Sequence, residues 1–143
     1  MSEPLQKTIL IVDDNAVNRI VARAMTISIM TELFDPPIQP TVLQAEDGQH
    51  ALDIMSCVHV DLVLMDLMMP VMDGATAIRE LRASGHKTPV IVVSSMDREN
   101  IRLLPLQSVQ AILSKPLDME TLGNALAESI GIGTRIKRRS AIA

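Results

Sequence analysis

The sequence is nearly free of aromatic residues, which limits the kind of core that it can build. It holds one Phe, at position 34, and neither Tyr nor Trp among its 143 residues. We therefore expect a core of aliphatic side chains, in which the ten Met residues fill irregular gaps with flexible, polarizable groups. The length suits one folded domain that is stable without disulfides.

Cysteine is also scarce, because Cys57 is the only one and a disulfide within the chain is excluded. We expect a buried structural thiol in a reducing compartment. The first residues do not resemble a signal peptide, and the apolar runs are too short to span a bilayer. These absences predict a cytoplasmic protein.

An excess of positive charge is missing as well, since 17 acidic residues outnumber 13 basic ones and leave a net charge of −4. We therefore expect the domain itself to bind neither nucleic acid nor a membrane. Only the segment 132–143 is basic, and we interpret it as a solvated tail or linker. Its cationic residues are Arg135, Lys137, Arg138 and Arg139.

Short apolar runs without polar alternation predict strands that are buried on both faces of a sheet. Four such runs cover residues 9–12, 62–65, 90–93 and 111–113, and a weaker fifth covers residues 41–45. Helical spacing of apolar residues separates them, and the segment 97–104 is the weakest of the five predicted helices. The alternation predicts an α/β domain with five parallel strands and helices on both faces. The proline-rich segment 34–40 is predicted to be a surface loop.

Polar residues follow four of the predicted strands where each strand ends. Asp13 and Asp14 follow the first strand, Asp66 the third, Ser94 the fourth and Lys115 the fifth. Functional groups in open parallel sheets gather at the carboxyl ends of the strands. We therefore expect these five side chains to converge at one edge of the sheet.

Such a group of side chains has the chemistry needed to accept a phosphoryl group. Three converging carboxylates repel one another unless a cation lies between them, and Mg²⁺ prefers carboxylate and phosphate oxygens. Asp66 is a candidate nucleophile because an Asp carboxylate can form an acyl phosphate. Lys115 and Ser94 could neutralise and hydrogen-bond the phosphoryl oxygens. Each residue alone has an ordinary explanation as a helix cap, a turn or a solvated charge, but their joint placement favours phosphoryl acceptance.

Four segments of the sequence together resemble the signature sites of response-regulator receiver domains. They are residues 9–15 with the sequence ILIVDDN, residues 66–74 with DLMMPVMDG, the Ser94 and Ser95 pair, and Lys115 with Pro116. The resemblance extends from about Lys7 to about Ile130. It implies a flavodoxin-like, doubly wound fold of the CheY type with strand order 2-1-3-4-5.

The resemblance further implies that Asp66 is the phosphoacceptor and that Mg²⁺ supports its phosphorylation. The metal would be held by the side chains of Asp13, Asp14 and Asp66 and by the backbone carbonyl of Met68, with Asp13 acting partly through water. The donor would be a histidine kinase or a histidine-phosphotransfer protein. The protein would catalyse only its own phosphorylation and dephosphorylation, so we expect no other enzymatic activity.

A phosphorylation-driven switch is implied as well. Ser94 occupies the position of the switch hydroxyl, and Lys115 occupies the phosphate-pairing position before a cis bond to Pro116. A downstream protein would bind the face formed by the predicted helix 97–104, the fifth strand and the fifth helix. The sequence departs from the family at Ile112, where Tyr or Phe is usual. Because the β-branched Ile112 has no ring to rotate, we expect a smaller rearrangement of this face.

Two Met residues flank the path of a water that would hydrolyse the acyl phosphate, according to the resemblance. Met68 lies two residues after Asp66, and Met96 lies two residues after Ser94. A thioether is a weak acceptor and no strong donor, so it orients water poorly. We therefore expect a long-lived phosphoprotein.

The predicted organisation is an extension over residues 1–6, a receiver domain over 7–131 and a basic tail over 132–143. We expect a single-domain protein that is a monomer or a weak homodimer. The alternatives are a receiver domain cut from a hybrid histidine kinase or from a DNA-binding regulator. An enzyme of the haloacid-dehalogenase type would carry an Asp-x-Asp nucleophile motif on its first strand, and a pseudoreceiver usually lacks one acid or the lysine. Neither description fits this sequence.

Overall fold

A computed structural model of the protein describes residues 5–69, 71–95, 109–130 and 135–136. Strands and helices alternate along the chain, and the predicted helix 97–104 lies outside the described residues. The elements in chain order are β1 (Leu5–Val12), α1 (Ala16–Ser28), a π-helix (Ile29–Leu33), β2 (Phe34–Asp35), β3 (Ile38–Ala45), α2 (Gly48–Cys57), β4 (Leu62–Asp66), α3 (Gly74–Ala83), β5 (Val90–Ser94), β6 (Ala111–Ser114), α4 (Met119–Ile130) and β7 (Arg135–Ile136).

Five of the strands form one parallel sheet in the order β3-β1-β4-β5-β6. The short β2 does not belong to this sheet, so the order is the predicted 2-1-3-4-5 counted over the strands of the sheet. Helices lie in the connections from β1 to β3, from β3 to β4 and from β4 to β5, as parallel pairing requires, and most of the connection from β5 to β6 lies outside the described residues. The predicted flavodoxin-like fold is therefore confirmed.

The sheet is covered on both faces by aliphatic side chains. Along β1, Leu10 and Val12 pack against the cluster that contains α2 and α3, whereas Ile9 and Ile11 pack against α1, the π-helix and α4. This division follows from the period of two residues in a strand. All residues of β4 and β5 are buried, which explains why their sequences are apolar without alternation.

Each of the four α-helices that the structure describes is preceded by a side chain that accepts a hydrogen bond from the backbone N–H three residues later. The pairs are Asn15 with Asn18 (3.0 Å), Asp47 with His50 (2.8 Å), Asp73 with Thr76 (2.8 Å) and Asp118 with Thr121 (2.7 Å). Such caps satisfy N–H groups that have no partner within the helix. The cap at Asn15 starts α1 directly after the acid pair, so this helix begins at the edge of the sheet that carries the candidate site.

The predicted surface loop over residues 34–40 is wrong in two respects. Phe34 is fully buried and Ile38 is 1% exposed, and both pack in the core on the α1 and α4 side. Phe34 also pairs antiparallel with Ile136 of β7, which comes from the far end of the chain. Pro40 lies inside β3, where it is tolerated because β3 pairs only with β1 and is an edge strand.

The predicted burial of Cys57 is also wrong, because the residue is exposed. Ala51 and Met55 lie on the buried face of α2, which packs against the sheet. Cys57 follows Met55 by two residues, which is more than half a helical turn, so it faces away from the core.

The ends of the described chain include residues from the predicted extension and tail. The strand β1 begins at Leu5, and the β7 residues Arg135 and Ile136 pair with β2. The domain boundaries at 7 and 131 stay predictions. Among the residues that the structure describes, no helix combines the length and apolar character needed to cross a bilayer.

Candidate phosphoryl-acceptor site

The acid pair after β1 places one carboxylate in the protein and the other in solvent. Asp13 is 7% exposed, and its N–H donates to the Ala45 carbonyl at 3.1 Å, which continues the pairing of β1 with β3. Its Oδ1 accepts from the N–H of Asn15 at 2.9 Å. Asp14 is exposed. Asp13 is thus fixed by the backbone around it, whereas Asp14 is open to a ligand from solution.

The third acid, Asp66, ends the central strand β4 and joins this pair. It is 4% exposed, and its Oδ1 accepts from the N–H of Met68 at 3.3 Å. Asp13, Asp14 and Asp66 each offer a carboxylate oxygen, and these oxygens lie within 4.8 Å of one another. The predicted convergence of the three acids is therefore found in the structure.

Lys115 brings positive charge to the cluster from the loop after β6. Its Nζ lies 3.3 Å from Oδ2 of Asp66 and 3.4 Å from Oδ2 of Asp13. Its backbone N–H donates to the Ser94 carbonyl at 2.7 Å, which ties the loop to the end of β5. The Lys115–Pro116 bond is cis, as predicted. One ammonium group thus serves two buried carboxylates.

The remaining predicted residues divide into those beside the cluster and those away from it. Ser94 is 1% exposed at the end of β5, the strand next to β4. Met68 follows Asp66 and is 54% exposed. Ile112 is half-buried on the opposite side of the sheet from α1, packed against the cluster of α2 and α3. Met96 lies outside the described residues.

The surroundings of Asp66 favour its neutral form. Burial is the main cause and raises the pKa of Asp66 above that of an ordinary carboxyl group. The Lys115 ammonium opposes this rise, and the nearby Asp13 carboxylate adds to it. A bound cation would reverse the balance, since it favours the ionised form of every carboxylate around it.

A cleft of about 390 Å³ opens beside the acids, between α1 and the loop after β6. Asp13, Asp66 and Lys115 line it together with apolar side chains that include Val21 and Leu117. The neighbouring surface of α1 exposes three large apolar side chains. They are Val17 (65% exposed), Ile20 (63%) and Val21 (49%).

Gly74 shapes the site through its lack of a side chain, so a search for reactive side chains in the sequence does not find it. A Cβ at this position would overlap the Asp66 carbonyl oxygen and lie 2.9 Å from the Cα of Leu67. The Gly74 N–H also donates to the Leu67 carbonyl at 3.0 Å. The signal in the sequence is the glycine that ends the segment 66–74.

Arg19 is the second contributor that the chemistry of the strand ends does not reveal. Its Nη1 donates to the Asp13 carbonyl at 2.7 Å, and its Nε donates to Oε1 of Gln44 at 3.2 Å. Arg19 lies on α1, a few residues after the acid pair. Its partner is a backbone carbonyl, which every residue carries, so the sequence contains no pattern that indicates this contact.

Comparisons with known proteins agree on one family. The sequence profile described as response regulator receiver domain matches residues 9–127. The two-component response regulator ORR41 of Oryza sativa subsp. japonica is 37% identical over 123 residues, which cover 84% of this chain and 91% of that protein. The autoinducer 1 sensor kinase/phosphatase LuxN of Vibrio campbellii is 30% identical over 124 residues, covering 87% of this chain and 13% of LuxN. The chain thus spans nearly all of one relative and a small part of another.

Solved structures agree with the sequence comparisons. The receiver domain of the sensor histidine kinase PA1611 from Pseudomonas aeruginosa PAO1 has a TM-score of 0.75 and 31% identity, covering 89% of this chain and 99% of that one. That structure has a magnesium ion coordinated in its active site cleft. The receiver domain of the Francisella response regulator 1452 has a TM-score of 0.63 and 28% identity, covering 87% of this chain and 96% of that one.

Proposed function

The chain belongs to the response regulator receiver domain family of two-component signalling, and from that premise we propose that Asp66 accepts a phosphoryl group in a Mg²⁺-dependent reaction. The observation that carries the proposal is the meeting of Asp13, Asp14, Asp66 and Lys115 at one edge of the sheet. Three clustered acids, two of which pair with one ammonium group, are the groups that metal-assisted phosphoryl transfer to a carboxylate needs.

In the proposed reaction, a carboxylate oxygen of Asp66 attacks the phosphorus of a phosphohistidine. The new bond joins that oxygen to phosphorus, while the bond between phosphorus and the donor nitrogen breaks. The imidazole of the donor leaves and takes up a proton from solvent. The product is an acyl phosphate on Asp66, which the receiver later loses by hydrolysis or by transfer.

The residues around Asp66 fit a hard divalent cation. Asp13, Asp14 and Asp66 supply carboxylate oxygens, and the exposed position of Asp14 leaves room for metal-bound waters. We assign the backbone carbonyl of Met68 as a further ligand. When bound, Mg²⁺ supplies positive charge that stabilises the phosphoryl oxygens during transfer.

Lys115 and Ser94 complete the proposed site from the two strands beyond β4. Lys115 pairs with Asp13 and Asp66 before the reaction, and we propose that it then pairs with a phosphoryl oxygen. The Ser94 hydroxyl is proposed to bond another phosphoryl oxygen and to act as the switch. Ile112, half-buried on the α2 and α3 side, is proposed to limit the rearrangement that follows.

We propose separate surfaces for the donor and the target. A histidine-phosphotransfer protein or histidine kinase would pack on the apolar surface of α1 (Val17, Ile20 and Val21), because this surface adjoins the cleft that leads to Asp66. A downstream protein would bind the face of the predicted helix 97–104, β6 and α4.

The context of the domain is proposed with one alternative. We propose a cytoplasmic, single-domain regulator over residues 7–131 that is a monomer or a weak homodimer, which the coverage of the Oryza sativa regulator supports. The alternative is a receiver domain that belongs to a longer kinase, and the match to part of LuxN supports it.

The test is phosphate uptake from acetyl phosphate or a phosphorylated histidine-phosphotransfer protein, followed by intact mass. Wild type and the exposed control Asp53→Asn are expected to gain one phosphoryl group in Mg²⁺, and Asp66→Asn is expected to gain none. Full uptake in excess chelator would contradict the proposed role of the metal. Uptake by Asp66→Asn would contradict the assignment of the acceptor.

A further inference from the structure

The backbone of Asp13 is held on both sides by hydrogen bonds to partners outside β1. The N–H of Asp13 donates to Ala45 at 3.1 Å, and the carbonyl of Asp13 accepts from Nη1 of Arg19 at 2.7 Å. That carbonyl belongs to the peptide plane from which Asp14 extends. The direction in which the Asp14 side chain leaves the backbone therefore depends on the bond from Arg19.

Arg19 is itself anchored rather than free to swing. It lies in the first turns of α1, and its Nε donates to Oε1 of Gln44 on the neighbouring strand β3 at 3.2 Å. The planar guanidinium group thus joins the start of α1, the turn after β1 and the strand β3. A fork of two donors held in one plane is a contact that Lys cannot reproduce.

We propose that Arg19 is a positioning residue that holds the Asp13–Asp14 turn in the geometry that binds Mg²⁺. This inference rests on the proposed function, because it assumes that the three acids bind the metal. Arg19 touches neither metal nor phosphate; it acts through the Asp13 carbonyl. Residues that orient metal ligands commonly change metal affinity by about 10–100-fold when they are replaced.

Positioning and simple electrostatics predict opposite effects of replacing Arg19. A guanidinium group that contacts the Asp13 carbonyl brings positive charge near the proposed metal site and repels a divalent cation, so removal of its charge alone would tighten Mg²⁺ binding. Loss of the bond to the Asp13 carbonyl would instead free the turn and weaken binding. The sign of the change in affinity therefore separates the two explanations.

The experiment measures the Kd of Mg²⁺ by isothermal titration, with Mn²⁺ paramagnetic resonance as a second readout. The chain has no Trp, so intrinsic indole fluorescence is not an option. Arg19→Gln is expected to raise the Kd by roughly tenfold. Arg19→Lys keeps the charge and is expected to raise it as well, by a smaller factor. Arg23→Gln, one turn further along α1, removes the same charge and is the matched control.

A kinetic measurement distinguishes a metal-positioning role from a general loss of structure. At saturating Mg²⁺, the rate of phosphorylation of Arg19→Gln by acetyl phosphate is expected to return to within about twofold of wild type, because the deficit lies in metal affinity. Thermal unfolding without metal reports whether each variant is folded. Gln44→Leu offers a second test of the positioning role, because it removes only the hydrogen bond between Arg19 Nε and Gln44 Oε1.

The outcomes of the experiment separate this inference from the function on which it rests. No Mg²⁺ binding by wild type would overturn the proposed function. Binding by wild type with an unchanged or lower Kd in folded Arg19→Gln would overturn the positioning role alone. A rate that stays low at saturating Mg²⁺ would overturn it too, since Arg19 would then act on the acceptor.

Discussion

Replacement of Asp66 by Asn is expected to stabilise the protein when no metal is present. The Asp66 side chain is 4% exposed and faces two other carboxylates, but it shares its ammonium partner Lys115 with Asp13. Asn has nearly the same shape and can still accept from the Met68 N–H. The substitution therefore removes a poorly compensated charge and creates no cavity.

Burial and the neighbouring charges together set the size of the effect. Removal of an ionised carboxylate from water costs several kcal/mol. At 4.8 Å, the upper limit of the separation between the acid oxygens, repulsion by Asp13 adds about 3–4 kcal/mol at an effective dielectric constant of about 20. The Lys115 ammonium at 3.3 Å offsets about 5 kcal/mol on the same scale. A net cost of about 2 kcal/mol remains. For a domain of this size we expect a rise in Tm of roughly 5–8 °C.

The gain in stability has a predicted dependence on pH. Because the pKa of Asp66 is raised in the folded protein, the folded state binds more protons than the unfolded state between the ordinary and the raised pKa. The cost of the charge is thus fully present above the raised pKa and disappears below the ordinary one. The advantage of Asp66→Asn should shrink as the pH falls through this window.

The assay is urea unfolding in chelator at several pH values, with Asp53→Asn as the control for the same change in net charge. Addition of Mg²⁺ should stabilise wild type and reduce the advantage of Asp66→Asn, since the metal compensates the same charge. A destabilised Asp66→Asn in chelator at neutral pH, or a gain that Asp53→Asn matches, would refute this account of the site.

Three further predictions follow from the same geometry. Gly74→Ala should destabilise the protein by about 1–3 kcal/mol and lower phosphate uptake, because its Cβ overlaps the end of β4, whereas Gly85→Ala should leave uptake unchanged. Lys115→Gln should slow phosphorylation by about 10²-fold or more, measured by intact mass, and equal rates would contradict its role. Met68→Asn with Met96→Glu should speed loss of phosphate from the phosphoprotein on the order of 10²-fold. An unchanged half-life would contradict the proposal that the two Met side chains slow hydrolysis.

The sheet and the acid cluster could be predicted because both depend on local patterns. Strands buried on two faces are apolar along most of their length, so β4 and β5 are evident in the sequence up to the polar residue that ends each of them. The parallel order then brings the residues after those strands to one edge. Asp66 at the end of β4 and Lys115 in the loop after β6 are 49 positions apart in the sequence, and they meet for that reason.

Features that depend on distant pairing could not be read from the sequence. Phe34 is buried because β7 pairs with it from the other end of the chain, and no local pattern in a proline-rich segment indicates such a partner. The Arg19 contact has the same character, since its target is a backbone carbonyl that every residue carries. The expectation of a buried Cys57 is wrong because it rests on the general tendency of thiols to be buried and neglects the helical phase of α2.

The most direct test of the central claim is the position of the phosphoryl group after the reaction. The protein is phosphorylated with a phosphohistidine donor in Mg²⁺, the acyl phosphate is trapped by borohydride reduction, and the modified residue is located by peptide sequencing in a mass spectrometer. We predict reduction at Asp66 alone, and none when a chelator is present. Modification at Asp13 or Asp14, or a phosphoryl group on a His, would contradict the assignment of Asp66 as the acceptor.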